Sequence, residues 1–495
     1  MSFNYLSTAR KSKRSQSALE YMMTYGWAIL IIVIVAVILY SMGIFNPSSS
    51  ITFTSSGFSP FTVSSSLCNN IGYKIAVLAG PIPNNANSIT INKVFLTSAT
   101  GANTTTASYT LTNPVTLKSG QSATILIPNV ACNSANIHYS LSAKIQYSYD
   151  VPTIGLQTVN TTGTVAGTSI TGKPSTLTSY EPITITNSQS SATPSPFQQM
   201  INFTSSDPGF SSIATGNFGQ NVEFFYYNGT IIPSWLENYT STNGLWWLKI
   251  AAISGGSSQT IYVGFAPTST SLFNTVNDGE APQIPCGSTP TSSCSNYAEY
   301  DDGANVFELY DNFAGTTLNT TEWSEQLPSG YTITQDNNIN MSTGATRWGG
   351  LVSIRSFTAP VVTEADVIAK PSSASVPAVG LAEQIGPAEY SLGYDVTYWA
   401  FSRGNMNGGM TAIAPEVATT GVIGLAWAAT GNEYEYQNYS VLQHSTNSSI
   451  SLPSKVYASF GSYCCNVNYL TLQWVRIRAY PPSGIMPSVT FGSVV

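Results

Sequence analysis

Two stretches of the chain set paired carboxylates where a β-strand would present them on one face. In an extended strand alternate side chains share a face, so Glu364 and Asp366 of Glu364-Ala-Asp-Val-Ile-Ala369 lie together, as do Glu433 and Glu435 of Glu433-Tyr-Glu-Tyr-Gln437. A retaining glycoside hydrolase needs a nucleophile and an acid/base carboxyl about 5 Å apart. On one strand this reads Glu-x-Asp-x-(x)-Glu, and the first stretch begins that pattern. It then places Ala369 and Lys370 where the second glutamate belongs. The second stretch sits among tyrosines and reads better as binding than as cleavage. No catalytic residue is therefore assigned.

Aromatic residues carry the binding chemistry. Along Glu389–Phe401, Tyr390, Tyr394 and Tyr398 fall on one strand face, and Asp395, Trp399 and Phe401 on the other. One set faces a core. The other, with Trp427, Tyr434 and Tyr436 on a later strand, can stack on sugar rings while Asp395 or Glu433 accepts hydroxyl hydrogen bonds. The competing reading is that all of these rings fill a sandwich core. Asp301-Asp302-Gly303 and Asp311 offer oxygen ligands for a structural Ca²⁺, with an acidic turn as the simpler reading, and no other cofactor is implied. The two histidines, His138 and His444, are far apart and no CxxC pair is present, so a zinc site is not expected. His138 alternates with Ile137 and Tyr139 as a strand surface residue would. The six cysteines form local sets. Cys68 with Cys132 and Cys286 with Cys294 read as disulfides of an oxidised exterior, whereas vicinal Cys464-Cys465 can be free, mutually bridged or linked to other chains.

What must position these groups begins with the N-terminus. Residues 21–45 carry no charge, and this roughly 25-residue run spans a ~30 Å hydrocarbon core at ~1.5 Å per residue. Arg10, Lys11, Lys13 and Arg14 precede it and the next cation is Lys74, so the basic flank stays cytoplasmic and the rest is exported. The junction Lys11-Ser-Lys-Arg-Ser-Gln-Ser-Ala-Leu-Glu20 resembles the class III signal peptide of archaeal type IV pilin-like proteins. That resemblance implies cutting between Ser15 and Gln16 by a prepilin peptidase. It also implies that Glu20, the fifth residue of the mature chain, pairs with the terminal amine of a neighbouring pilin-like subunit. Ser15 stands where Gly is common, and an uncleaved anchor is the alternative.

Charged residues are only 8% of the chain, against 42% hydrophobic and 12% aromatic. With apolar residues alternating at period two, this composition indicates rigid β-structure rather than disorder. A net charge of −7 leaves no basic patch for nucleic acid. Nine Asn-x-Ser/Thr acceptors (Asn103, Asn160, Asn202, Asn228, Asn238, Asn319, Asn340, Asn438 and Asn447) suit a glycosylated surface protein, although a chain this rich in Ser, Thr and Asn yields some by chance.

The predicted organisation is a basic leader (1–15), a transmembrane helix (16–46), a β-sandwich head (48–172), a second β-sandwich (179–275), a Cys-containing connector (276–299) and a C-terminal sandwich (300–495). The series Tyr180-Glu-Pro-Ile-Thr-Ile-Thr-Asn187, Asn217–Glu237, Leu245-Trp-Trp-Leu-Lys-Ile250 and Ser257–Phe265 resembles a surface domain of unknown function, the DUF 2341 type, found beside lectin-like modules. Asn228-Gly229 turns a hairpin there. Trp235 reads as core, and of Trp246 and Trp247, on opposite faces, one reads as core and one as surface. Asp311–Trp323, Gly350–Phe357 and the strand Trp474-Val-Arg-Ile-Arg-Ala-Tyr480 resemble concanavalin A-like lectin/glucanase domains, which implies a jelly-roll of two curved sheets. The fold class is thus mostly β: one membrane helix, then tandem sandwiches ending in a jelly-roll. The expected role is adhesion or glycan recognition at the cell surface, anchored or assembled in a filament. The alternatives are a laminarinase-type hydrolase and a purely structural subunit.

Overall fold

The computed structural model describes residues 25–26, 29–35 and 53–495, except 105–107, 129, 133, 153, 288, 344–348, 371–375, 383–400, 404–410, 415–419, 430–431, 446–453 and 464–467. Ser15, Gln16 and Glu20, and with them the processing site, lie outside the described residues, as do Cys464 and Cys465. Residues 25–26 and 29–35 are helical and exposed. Among the described residues no helix is long and apolar enough to cross a membrane.

The chain divides into two compact units, Met1–Gly172 and Lys173–Val495. In the first, a five-stranded antiparallel sheet runs in the order Thr54–Gly57, Gly155–Thr168, His138–Val151, Ile89–Thr100, Ser108–Leu117. A three-stranded sheet is built from Phe61–Cys68, Tyr73–Ala79 and Ser122–Ile127. Strict alternation of buried and half-buried residues along Tyr73–Ala79 turns Tyr73, Ile75, Val77 and Ala79 inward. They share one core with Leu141, Ala143 and Ile145 of the larger sheet. The Cys68–Cys132 disulfide is formed within this core.

The second unit begins with a sandwich of two four-stranded sheets. One contains Val222–Phe225, Ser257–Phe265 and Ser179–Asn187; the other contains Phe197–Thr204, Asn243–Ile250 and Ser234–Tyr239. Asn228-Gly229 turns a hairpin as expected, with Gly229 at φ 80 and its N–H donating to Tyr226 O. Each sheet is completed by a distant strand. Asp278–Glu280, placed by the sequence in the connector, pairs in parallel with Ser234–Tyr239. Ser488–Phe491, placed by the sequence in the jelly-roll, returns to pair with Ser179–Asn187. The Cys286–Cys294 disulfide staples the connector that follows.

Between these strands lies the second sandwich. Its larger sheet orders Tyr331–Gln335, Ile339–Thr343, Asn468–Ala479, Val361–Ala369, Gly421–Ala429, Asn432–Gln437 and Ser440–Ser445, with Leu309–Asp311 also on Asn468–Ala479. The opposing sheet is built from Trp323–Gln326, Gly349–Ser353, Lys455–Tyr463, Phe357–Thr358 and Val376–Ala382. Val475, Ile477, Leu425, Trp427 and Ala365 of the first meet Leu351, Phe460 and Val379 of the second in one core. The mostly β architecture of successive sandwiches agrees with the sequence reading, and the two facing sheets of the second sandwich have the layering expected of a jelly-roll.

Candidate functional site

The larger jelly-roll sheet has two buried faces. The second, carried by Arg476, Arg478, Trp474, Glu364, Val422 and Tyr436, packs against the first sandwich of the same unit instead of opening to solvent. Arg476 is 0% exposed. Its Nε donates to Glu364 at 2.7 Å, its Nη1 to Glu237 at 2.9 Å and its Nη2 to the Tyr439 hydroxyl at 3.0 Å. The guanidinium lies 4.5 Å from the Phe307 ring centroid and 4.6 Å from those of Trp247 and Trp474, so cation–π attraction adds to the ion pairs. Glu237 also accepts from Trp247 Nε1 at 2.8 Å. Trp246 and Trp247 are both buried, where one of the two was expected at the surface: Trp246 belongs to the first sandwich's own core, and Trp247 faces the jelly-roll.

This packing decides the chemistry of the first carboxylate pair. Burial alone would raise the Glu364 pKa, but Arg478 and Arg476 pull it below the ordinary value, so it is a fixed anion with both oxygens engaged. Asp366, beside Glu237 and Arg476, is pushed up to about 7, mainly by burial. With both oxygens engaged by guanidinium groups and only 1% of the residue exposed, Glu364 has no open side from which to attack a glycosidic carbon. The second pair points the other way. Glu433 pairs across the sheet with Trp427 and Glu435 with Leu425, both core residues, so these carboxyls face the inter-sheet interior. Glu433 is 1% exposed, and burial pushes Glu435 up to about 8. Glu433 is thus withdrawn from the ligand site expected for it. Trp427, 0% exposed in the same core, is likewise a packing residue, and Tyr436 is largely buried at 7%. Tyr390, Tyr394, Asp395, Tyr398 and Trp399 lie outside the described residues.

Among the described residues, Tyr434 is the candidate ring that remains accessible. It is half-buried, and the exposed His444 ring stacks on it with centroids 4.2 Å apart and planes 6° apart. His444 Nε2 lies 3.2 Å from Asn432 Oδ1. Tyr434 and Tyr480, 6.5 Å apart, line a cleft of about 380 Å³ with Asn432, Ser483, Pro360 and Pro481. The cleft combines flat apolar surface with amide and hydroxyl groups, which is what a neutral polyhydroxylated ligand requires. The sequence reading missed Tyr480 and the His444 partnership. Tyr480 was visible as an aromatic directly after the last jelly-roll strand, next to Pro481-Pro482.

Two of the aspartates considered for Ca²⁺, Asp301 and Asp311, are committed to other donors. Asp301 accepts from Trp235 Nε1 (2.8 Å), Gly303 N (3.0 Å), the Tyr310 hydroxyl (2.7 Å) and Asn312 Nδ2 (2.8 Å). It therefore ties the first sandwich to the jelly-roll. Asp311 accepts from Phe313 N (2.8 Å) and Trp323 Nε1 (2.6 Å). Asp302 is buried and pushed up to about 9 by burial and by the neighbouring Asp301 and Asp278. Among the described residues no group of three His, Cys, Asp or Glu side chains is placed to hold a metal ion. His138 is a half-buried strand residue whose Nδ1 lies 3.1 Å from Gly167 O.

No protein-family model matches the chain. It is 28% identical over 357 residues to Uncharacterized protein 562 of Sulfolobus islandicus rod-shaped virus 1, an alignment covering 63% of this chain. The chain spans 59% of that relative's length. Among solved structures, it resembles porphyranase B from Zobellia galactanivorans over 34% of this chain and 91% of that one, with 11% identity and a TM-score of 0.25. β-Agarase B from the same organism is matched over 35% of this chain and 92% of that one, with 14% identity and a TM-score of 0.23.

Proposed function

We propose that the protein is exported and held at the membrane by its N-terminal apolar run, and that its jelly-roll binds a neutral glycan at the Tyr434–Tyr480 cleft. One observation carries the binding reading: Tyr434 keeps an accessible ring, backed by His444, at the rim of a cleft with Asn432 and Ser483 within its walls. The hydrolase alternative requires two carboxyls facing a common opening. Glu364 is held by arginines and Glu433 and Glu435 point into the core, so binding without cleavage is the better reading. Processing before Gln16 by a prepilin peptidase and pairing of Glu20 with pilin-like subunits remain part of the proposal, on the strength of the leader sequence alone. The DUF 2341 resemblance belongs with it and assigns no chemistry.

The test is a glycan array probed with the full chain and with Tyr434→Ala, alongside a reducing-sugar assay on the glycans retained. Binding that is lost in Tyr434→Ala without sugar release supports the reading. Sugar release supports the hydrolase, and no retention at millimolar glycan leaves a structural subunit.

A further inference from the structure

Three Asn-x-Ser/Thr acceptors far apart in the chain meet at one opening. Asn202-Phe-Thr204 ends the strand Phe197–Thr204, and Asn238-Tyr-Thr240 runs off the end of Ser234–Tyr239. Asn438-Tyr-Ser440 makes the turn between Asn432–Gln437 and Ser440–Ser445. Antiparallel pairing of Phe197–Thr204 and Ser234–Tyr239 on either side of Asn243–Ile250 brings the first two to the same end of one sheet. The turn at Asn438 enters from the jelly-roll, where Tyr439 inserts against Trp247 and Glu237. Asn202, Asn238 and Asn438, with Asn243, Tyr439 and Ser440, line a cleft of about 410 Å³ over this junction.

The local chemistry suits modification. All three asparagines are exposed. The acceptor hydroxyls Thr240 and Ser440 are exposed as well, and Thr204 is half-buried. Asn438 Oδ1 accepts from Val422 N at 3.1 Å, which fixes the amide and leaves Nδ2 for substitution. Both Asn438 and Tyr439 have positive φ, 47° and 70°. A bulky residue pays for that conformation, and the turn persists because Tyr439 is held in the Arg476 aromatic cage. The acceptor triplet is thereby presented on a fixed, protruding turn.

We propose that this cleft is a glycan-bearing site in which Asn202, Asn238 and Asn438 each carry an N-linked oligosaccharide, three chains rooted around the junction of the two sandwiches. The proposal rests on the exported placement argued above. In each transfer the asparagine Nδ2 forms a bond to the anomeric carbon of an oligosaccharide carried on a lipid phosphate. The carbon–oxygen bond to that phosphate breaks, the lipid phosphate leaves with the electron pair, and the amide gives up one proton. The glycans then cover Met200 and Tyr439 in the cleft, while the Tyr434–Tyr480 cleft, which shares no lining residue with it, stays open to ligand.

The experiment expresses the full chain in a host that exports it and has an oligosaccharyltransferase, and maps glycopeptides by mass spectrometry. Asn160 and Asn319, also exposed, are internal references. Occupancy at Asn202, Asn238 and Asn438 is expected, and Asn202→Gln, Asn238→Gln and Ser440→Ala each remove one glycan from the intact mass. Ser440→Ala spares the Asn438 amide and so the turn. Hydroxyl-radical labelling of Met200 and Tyr439 is expected to rise several-fold in the triple variant. Modified Asn160 or Asn319 with any of the three cleft asparagines unoccupied overturns the three-glycan cluster while leaving export standing. No modified acceptor anywhere overturns both. Equal labelling of Met200 and Tyr439 in wild type and triple variant overturns the covering.

Discussion

Replacing Arg476 by Met keeps much of the side-chain volume and removes every donor that joins Glu237 to Glu364. Both carboxylates are at most 2% exposed in their side chains, so neither can recover hydration without opening the junction. Removing one partner of a buried ion pair costs about 3–5 kcal/mol. Arg478 still donates twice to Glu364 Oε1, and Trp247 and Tyr439 still donate to Glu237, which keeps the loss within that range rather than at the sum of two pairs. For a unit spanning Lys173–Val495, with ~2.1 cal/mol/K of unfolding entropy per residue, the loss corresponds to a Tm lower by roughly 4–8 °C. Differential scanning calorimetry of the exported part of the chain reads it directly. Arg476→Met/Glu237→Gln is expected to recover a substantial part of the drop, because it leaves no unpaired carboxylate while Arg478 neutralises Glu364. A single substitution that shifts Tm by less than 1 °C would refute the reasoning, as would wild-type protein whose two sandwiches of this unit melt in separate transitions.

Stability should also fall as pH rises. Glu181 and Asp366 are pushed up to about 7, Asp278, Glu280 and Glu435 to about 8 and Asp302 to about 9, in every case first by burial. The unfolded chain releases these protons near pH 4, so each group favours unfolding by up to ~1.4 kcal/mol per pH unit between its two pKa values. Glu364, with a lowered pKa, contributes stability that is lost only as pH falls below its ordinary value. Melting temperature measured from pH 4.5 to 8.5 should therefore decline by several degrees, and a flat or rising curve sinks the argument. Tyr434→Ala is expected to weaken glycan binding about tenfold by titration calorimetry, the equivalent of ~1.4 kcal/mol, with an unchanged circular dichroism spectrum; unchanged affinity moves the site elsewhere. Cys68→Ser/Cys132→Ser opens a link across 64 residues, which loop entropy values at on the order of 4 kcal/mol, and should lower the melting point of the first unit. A first unit equally stable under reduction would show that the bridge does not constrain its unfolded state.

Local pattern was enough to read the two disulfides, the Asn228-Gly229 turn and the mostly β character, because each follows from residues close in sequence or from period-two alternation. The site was harder. Glu364 and Asp366 were read from the side-chain geometry of one strand, which tells that two residues share a face and nothing about what covers it. Here the cover is a second sandwich. Its position is fixed by the return of Ser488–Phe491 to Ser179–Asn187, a pairing across some 300 residues of chain. The same long-range closure accounts for the burial of both Trp246 and Trp247, since the strand face that carries Trp247 is covered by the jelly-roll. One sequence signal did point to the covered face. In Trp474-Val-Arg-Ile-Arg-Ala-Tyr480, two arginines alternate with Val475 and Ile477 in a chain with only 17 basic residues. An arginine opposite a core position, flanked by Trp474 and Tyr480, is either on a solvated face or in a buried pair. Aromatic neighbours on its own side favour the pair, and a pair demands carboxylates on adjoining segments. Glu364, on the neighbouring strand, and Glu237, across the junction, answer that demand. The carboxylate that most resembled a catalytic residue is therefore explained by the arginine beside it, and the proposed ligand site moves to the rim, where Tyr434 leaves the shelter of the cover.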